Sequence, residues 1–122
     1  MAAGSMVFRP DHRLRQSSDF AAVLASPLKL RGRHFEVRYR GAAGSMPRLG
    51  LIVPKRLAKR AVVRNTLKRL SREAFRTIHK QLPCVDLVVR LTADVGRCSK
   101  VSAETKKGWR KELDQLMLRL KP

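Results

Sequence analysis

The segment from residue 60 to residue 78 constrains the fold of this chain more than any other feature. A cation recurs there at every fourth residue, at Arg60, Arg64, Lys68, Arg72 and Arg76. An apolar set keeps its own spacing between them, at Val63, Leu67, Leu70, Ala74 and Ile78. At about 100° per residue, the two sets fall on opposite sides of an α-helix. The segment therefore predicts a helix with one side in a core and a row of positive charge on the other.

The row of positive charge indicates a polyanionic partner. Cations four residues apart on a helix repel one another, and Glu73 is the only acidic residue between Arg60 and Lys80. The whole chain has 28 Lys and Arg against 9 Asp and Glu, which gives a formal charge of +19. Because such an excess destabilises the folded state, we expect it to be used in binding. Nucleic acid is the first candidate and an anionic membrane surface the second, although no stretch approaches the roughly 20 apolar residues that span a bilayer.

Periodicity divides the rest of the chain into helices and strands. The predicted elements are a short helix at Asp19–Ala25, strands at Arg33–Arg40 and Arg48–Pro54, the basic helix at about Ala61–Lys80, a strand at Val85–Leu91 and a helix at about Ser102–Leu120. Turn residues at Gly41–Pro47 predict that the first two strands form an antiparallel hairpin. The apolar run Val85–Leu91 predicts a central strand that is covered on both faces. This order predicts a two-layer sandwich of one sheet and its helices, with a single core.

The aromatic residues are few, and most are expected in the core. Phe35 and Tyr39 share the apolar face of their strand, and Trp109 begins the apolar stripe of the last helix. Phe20, on the short first helix, is the best candidate for stacking on a nucleobase. Packing in the core is the competing interpretation of Phe20.

Catalysis by protein side chains is poorly supported. The acidic residues are scattered, whereas metal-dependent phosphodiester hydrolysis needs clustered carboxylates. His12, His34 and His79 have no catalytic motif around them. Cys84 and Cys98 lack the spacing of metal ligands, so we expect two reduced thiols in a cytoplasmic protein.

The region from residue 48 to residue 76 contains a dense series of basic motifs. It begins with Arg-Leu-Gly-Leu at residues 48–51 and a basic pair at Lys55 and Arg56. Ala-Val-Val-Arg-Asn follows at residues 61–65, and Lys-Arg-Leu-Ser-Arg-Glu at residues 68–73. This series resembles the signature of the bacterial ribonuclease P protein subunit. This dense match covers about a quarter of the chain, and looser agreement extends over nearly everything after the first dozen residues.

The resemblance implies a fold, a partner and an activity. The implied fold is an α+β sandwich with a small mixed sheet, the order α-β-β-β-α-β-α and an unusual left-handed crossover. The implied partner is a catalytic RNA that, with Mg²⁺, removes the 5′ leader of precursor tRNA by endonucleolytic cleavage. The protein would supply no catalytic residue, hold no metal, and need no membrane or obligate protein partner. We expect a basic arm at residues 1–15, disordered without RNA, and one RNA-binding domain at residues 16–122.

The resemblance also implies two sets of binding residues. The positions that match the basic signature and would bind the catalytic RNA are Lys55, Arg56, Lys59, Arg60, Arg64, Asn65, Lys68, Arg69, Arg72 and Arg76. The positions that would line a cleft for the precursor tRNA leader, between the sheet and the first helix, are Phe20, Glu36, Arg38, Ile52, Pro54 and Arg90. The chain departs from the family pattern at Leu24, Arg38 and Thr92, which changes the expected leader contacts more than the function.

Two alternatives stand beside this interpretation. A ribosomal or RNA-chaperone protein of similar fold would share the charge but show no preference for leader-bearing tRNA. A self-sufficient nuclease would cleave without an RNA subunit. Reconstitution of the protein with a candidate RNA and precursor tRNA, tested singly and together, separates these possibilities.

Overall fold

A computed structural model describes residues 14, 17–41, 46–82, 84–95 and 101–120. The described helices are α1 (Ser17–Leu24), α2 (Ala61–Ile78) and α3 (Ala103–Leu118), and the described strands are β1 (Lys29–Arg31), β2 (Phe35–Gly41), β3 (Arg48–Ile52) and β4 (Val85–Leu91). A short 3-10 helix, His79–Gln81, follows α2 directly. The order α-β-β-β-α-β-α implied by the family resemblance is confirmed.

The four strands form one mixed sheet in the spatial order β1-β2-β4-β3. β4 pairs antiparallel with β2, which places Val89 opposite Val37, and parallel with β3, which places Val89 opposite Leu51. The predicted antiparallel hairpin between β2 and β3 is therefore wrong, because β4 lies between them. The turn residues before β3 indicate that the chain reverses, but they carry no information about which strand becomes the neighbour; residues 42–45 of that turn lie outside the described part. The left hand of the β3–α2–β4 crossover stays a prediction.

Strand β1 has no counterpart in the periodicity of the sequence. It contains only Lys29, Leu30 and Arg31, too few residues for an alternating pattern to be recognised. Hydrogen bonds around it hold the segment against β2: the Ser26 hydroxyl donates to the Tyr39 carbonyl at 2.8 Å, and the Tyr39 N–H donates to the Leu28 carbonyl at 3.2 Å. Long-range pairing, rather than local propensity, therefore creates this strand.

The main core lies between one face of the sheet and the two long helices. The sheet contributes Phe35, Val37, Leu49, Val85, Leu87, Val89 and Leu91, all of them buried. The predicted stripe of α3 is confirmed, since Trp109, Leu113, Leu116, Met117 and Leu120 are buried in the same cluster. Ser102 caps α3, because its hydroxyl accepts the Thr105 N–H at 3.1 Å. The predicted two-layer sandwich of sheet and helices is thus present.

The opposite face of the sheet carries a second, small cluster beneath α1. Leu14, Val23 and Val88 are buried there, and Phe20 and Ile52 pack against them. The Leu14 N–H donates to the Leu49 carbonyl at 3.0 Å, so the packed domain includes this residue of the predicted arm. Other residues of the arm lie outside the described part of the chain. α1 is therefore attached to the face that α2 and α3 leave uncovered.

Two further expectations concern cysteine and membranes. Cys84 is an exposed free thiol, and Cys98 lies outside the described residues. Within the described part of the chain, no helix combines the length and the apolar content needed to cross a bilayer.

Candidate RNA interface

Helix α2 has the two-sided character that the sequence predicts. Its buried residues are Val63, Thr66, Leu67, Leu70, Ser71, Ala74, Phe75 and Ile78. None of the predicted cations of the helix is buried: Arg69 is exposed, and Arg64, Lys68, Arg72 and Arg76 are half-buried. A four-residue step advances about 40° beyond a full turn, so the row of cations winds slowly around the helix. Arg64 therefore lies nearest the buried side, and the remaining cations form one continuous surface with the exposed Asn65.

The segment before α2 is a rigid turn that presents further cations. The N–H groups of Leu57 and Ala58 donate to the Pro54 carbonyl at 3.1 and 3.0 Å, and Ala58 is fully buried. The Val95 N–H donates to the Leu57 carbonyl at 2.7 Å and fastens the turn to the residues after β4. These bonds leave Lys55, Arg56 and Lys59 exposed, with Pro54 half-buried at the base.

The N-terminal end of helix α2 adds a positive electrostatic potential to the basic segment that precedes it. Arg60 is the N-cap residue, and its side chain makes no capping hydrogen bond. The first turn of α2 contains no acidic residue. Its N-terminal dipole therefore faces the exposed Lys59 and Arg60 without a counter-charge from the helix itself, an arrangement that favours phosphate.

The cations of α2 differ in how far the protein itself uses them. The Arg64 Nη1 donates to the carbonyls of Ala58 and Lys59, at 2.9 Å each, and so holds the turn against the helix. Arg69 lies 4.0 Å from the carboxylate of Glu73. The side chains of Arg60 and Lys68 make no hydrogen bond or ion pair with any described residue. These last two charges are thus free for an external anion.

A groove connects the basic helix with the first helix. Its cavity has a volume of about 180 Å³ and is lined by Leu14, Phe20, Leu49, Gly50, Leu51, Lys68 and Arg72. A half-buried aromatic ring thus stands across a narrow space from two cations of α2. Edge strand β3 forms the floor of the groove, because Ile52 packs in the small cluster beneath α1 while Leu49 lies in the main core that includes α2. An aromatic surface beside cations is suited to a single-stranded nucleic acid, whose bases stack while its phosphates are neutralised.

Gly50 allows the ring of Phe20 to lie against β3. A Cβ atom at Gly50 would lie 2.7 Å from Cε1 and 2.8 Å from Cζ of Phe20. Any side chain at position 50 would therefore displace the ring from its position. In the sequence, Gly50 stands out only as part of a motif, although a glycine inside a strand pattern is a signal for the close approach of another group.

Arg48 fixes α1 above the same strand. Its guanidinium donates to both carboxylate oxygens of the buried Asp86, at 2.9 and 2.8 Å, and lies 3.5 Å from Asp19 of α1. The hydrogen bonds from Arg48 to Asp86 raise the pKa of Arg48 above its ordinary value, against the opposing effect of burial. The contact of Arg48 with Asp86 and Asp19 was not predicted from the sequence, although an acidic residue within an apolar strand signals a cationic partner.

The predicted leader-binding residues of the sheet share one face, but two of them are occupied by internal contacts. Cross-strand pairing aligns Glu36 with Arg90, and Arg90 with Ile52. Glu36 is only 2% exposed, and Arg38 Nε donates to its carboxylate at 3.1 Å. Arg38 also donates to the Leu24 carbonyl at 2.9 Å, which satisfies the last turn of α1. The Arg90 side chain is half-buried and makes no hydrogen bond with a described residue, although its charge acts on Glu36.

The environment of Glu36 keeps its carboxylate charged. Burial by itself would raise the pKa of Glu36. The hydrogen bond from Arg38 and the charges of Arg38, Arg90 and Arg31 outweigh that effect, so the pKa of Glu36 lies below its ordinary value. Glu36 therefore serves as a buried anion that orders the surrounding arginines.

Together, the sheet, the basic helix and the groove define a small α+β protein that binds RNA. The ribonuclease P family model matches residues 8–121 of the chain. The ribonuclease P protein component of Azoarcus sp. (strain BH72) is 47% identical over 91 residues, which cover 75% of this chain and 76% of that protein. The corresponding protein of Bordetella parapertussis is 41% identical over 113 residues, covering 88% and 90% of the two chains. The ribonuclease P protein of Thermotoga maritima superposes with a TM-score of 0.70 at 30% identity, over 90% of this chain and 98% of that one.

The chain belongs to the ribonuclease P protein family. It is accordingly a protein component of the ribonucleoprotein endoribonuclease that processes the 5′ ends of tRNAs, and its partner in that particle is an RNA subunit. The ribosomal and RNA-chaperone alternative is set aside by this membership.

Proposed function

We propose that the chain uses two adjoining surfaces for two different RNAs. The row of cations on α2, with the basic turn before it, binds the RNA subunit. The groove between α1 and β3 holds the single-stranded leader of precursor tRNA, with a base stacked on Phe20. The observation that carries the proposal is the shared groove, in which Phe20 stands opposite Lys68 and Arg72. A leader bound there would run directly beside the RNA subunit.

The contribution of the protein to catalysis is electrostatic and positional. The described residues contain no group of three His, Cys, Asp or Glu side chains arranged to hold a metal ion. We infer that the RNA subunit performs the hydrolysis with Mg²⁺, in the cytoplasm and without an obligate protein partner. Cations of the protein would screen the repulsion between two RNAs, and the bound leader would orient the scissile phosphate.

The predicted leader residues divide into contacting and positioning groups. Phe20 and Arg90 are available to a ligand, and Ile52 and Pro54 supply half-buried apolar surface. Glu36 and Arg38 act through other groups, since their hydrogen bonds tie the sheet to the end of α1. Replacement of Arg38 should therefore loosen α1 before it removes a direct contact with RNA.

Phe20→Ala tests the leader-binding role. Stacking of one base on an aromatic side chain contributes about 1–3 kcal/mol, so the affinity of the reconstituted particle for precursor tRNA should fall by about 5-fold to 100-fold. Phe20→Trp is the matched control, because it keeps an aromatic surface. Binding of mature tRNA and assembly with the RNA subunit should not change. An equal loss for precursor and mature tRNA would contradict a role in holding the leader.

Arg60→Gln with Lys68→Gln tests the surface that binds the RNA subunit. Both side chains lack internal partners among the described residues, so their replacement should leave the free energy of unfolding nearly unchanged. Each lost phosphate contact should lower the slope of log affinity against log salt by about one. Lys80→Gln with Lys107→Gln removes the same charge from exposed positions outside the predicted site. If both pairs of substitutions weakened binding of the RNA subunit equally, only the total charge of the protein would matter. Cleavage of precursor tRNA by the protein without RNA would refute the proposal altogether.

A further inference from the structure

Another cavity in the described part of the molecule lies away from both proposed surfaces. It is an open groove of about 640 Å³ between α3 and the turn that joins β1 to β2. One wall carries Arg31 and Arg33, and the other carries Lys111 and Arg119. Leu118, which is 50% exposed, contributes apolar surface. Neither the row of cations on α2 nor the leader groove accounts for this concentration of charge.

A partly buried hydrogen-bond network fixes the walls of this groove relative to one another. Glu112 of α3 accepts the N–H groups of His34 and Phe35 and faces Nδ1 of His34, at 2.8 Å each. Gly32 permits this contact, because a Cβ atom there would lie 2.5 Å from the Glu112 carboxylate. The turn is thereby fastened to α3 before any ligand arrives. Such preorganisation lowers the entropic cost of binding.

Three of the four cations that line the groove have no partner within the described part of the protein. The side chains of Arg33, Lys111 and Arg119 make no hydrogen bond or ion pair with any described residue. The fourth cation, Arg31, lies 4.0 Å from the carboxylate of Glu36. Glu112 is the only acidic residue in the lining, and its carboxylate is occupied by the backbone and the His34 ring. The groove therefore has a net positive charge and a fixed shape, and it requires an anionic occupant.

The position of the groove distinguishes it from the proposed RNA and leader surfaces. The groove borders β1, whereas the leader groove borders β3, and these are the two edge strands of the sheet. Three strand spacings of about 4.8 Å separate the edges by about 14 Å, so no single phosphate can occupy both sites. An RNA that contacts both edges must extend around the domain.

We infer that this groove is a second attachment site for the RNA subunit and binds a run of its phosphates. The inference rests on family membership and on the groove itself, independently of the proposed leader site. The RNA subunit is the occupant because its backbone supplies successive phosphates to cations on two facing walls. A protein held at both edges of its sheet cannot rotate on the RNA.

The test replaces one cation on each wall, Arg33→Gln with Lys111→Gln, in the full chain. Lys80→Gln with Lys107→Gln is the matched control: it removes equal charge, and Lys107 lies one helical turn from Lys111 but outside the groove lining. The groove variant should weaken binding of the RNA subunit by about tenfold relative to the control, and should lower the salt slope by about two. Thermal unfolding of the free variants should be unchanged, since both replaced groups are exposed.

Three results would overturn the inference. An equal loss of affinity in the groove and control variants would show that only total charge matters. A loss confined to precursor tRNA binding by the free protein would assign the groove to the substrate. The third result comes from an iron chelate tethered at Gln115→Cys, with the two native cysteines replaced by Ser. This probe should cleave the RNA subunit at discrete positions. Cleavage no stronger than from a chelate at Lys80→Cys would also refute the assignment. Arg60→Gln with Lys68→Gln remains a separate test, so failure here leaves the proposed function standing.

Discussion

Gly50→Ala should displace Phe20 without replacing any of the side chains that we propose to contact RNA. The new Cβ would lie 2.7 Å from Cε1 and 2.8 Å from Cζ of Phe20, and 3.2 Å from Cδ1 of Leu14. Optimal separation between carbon atoms is about 3.5–4.0 Å, so the ring must withdraw by about 1 Å. It cannot move into β3, and its displacement must therefore change the shape of the leader groove.

The expected size of the effect follows from two opposing contributions. Overpacking a well-filled site destabilises a protein by about 1–3 kcal/mol. Gly50 has no positive φ, so alanine fits the backbone and recovers about 0.4–1 kcal/mol by restricting the unfolded chain. The net decrease in the free energy of unfolding should be about 1–2 kcal/mol. If displacement removes about half of the stacking energy, affinity for precursor tRNA should fall about threefold to tenfold.

Urea denaturation and competitive binding of precursor and mature tRNA measure the two effects. Gly41→Ala is the control, because a Cβ atom at Gly41 meets nothing within 4 Å. A double-mutant cycle gives the decisive comparison. With Phe20→Ala already present, Gly50→Ala should cause almost no further loss of stability or of affinity for precursor tRNA. The same loss of stability and of precursor affinity in both backgrounds would refute the argument that Gly50 acts through Phe20.

Other predictions concern the contacts that hold α1, the sheet and α3 in place. Asp86→Ala should lower the free energy of unfolding by about 2–4 kcal/mol in urea denaturation. This loss is smaller than for breaking a fully buried ion pair, because Arg48 is 32% exposed. A loss below about 1 kcal/mol would contradict this reasoning. Because the pKa of Glu36 is lowered from 4.5, its contribution is fully present above pH 4.5 and disappears as the pH falls through the folded pKa. Glu36→Gln should accordingly show a smaller decrease in stability below pH 4.5 than the original chain, and parallel curves would exclude this assignment. Ser102→Ala should cost about 1 kcal/mol through loss of the α3 cap, with no effect on RNA affinity.

The elements that the sequence predicts best are those in which the spacing of apolar residues follows directly from how the element is buried. α2 and α3 each bury a single stripe, and α2 begins at the predicted Ala61. β4 has the predicted bounds Val85–Leu91 because a strand covered on both faces is apolar at nearly every position. In each case the periodicity of the side chains reports burial directly.

The features that the sequence does not predict depend on contacts between distant segments. The place of β4 between β2 and β3 follows from pairing that no local pattern specifies. Glu36 alternates with apolar residues, a pattern typical of the exposed side of a half-buried strand, yet it is only 2% exposed and is hydrogen-bonded by Arg38. The contact of Phe20 with Gly50 joins residues 30 positions apart, and only the fold brings them together.

The cationic side chains of this protein fall into two groups, those that bind other parts of the protein and those that do not. Arg38, Arg48 and Arg64 direct their hydrogen bonds to protein acceptors, namely the end of α1, Asp86 and the turn before α2. Arg60 and Lys68 have no such acceptors among the described residues. Replacing a member of the first group should therefore change stability together with RNA affinity, whereas replacing a member of the second should change affinity and its salt dependence alone. Arginine suits the first group because its planar guanidinium can satisfy several fixed acceptors at once, so Arg48→Lys should disrupt the link to Asp86 despite keeping the charge.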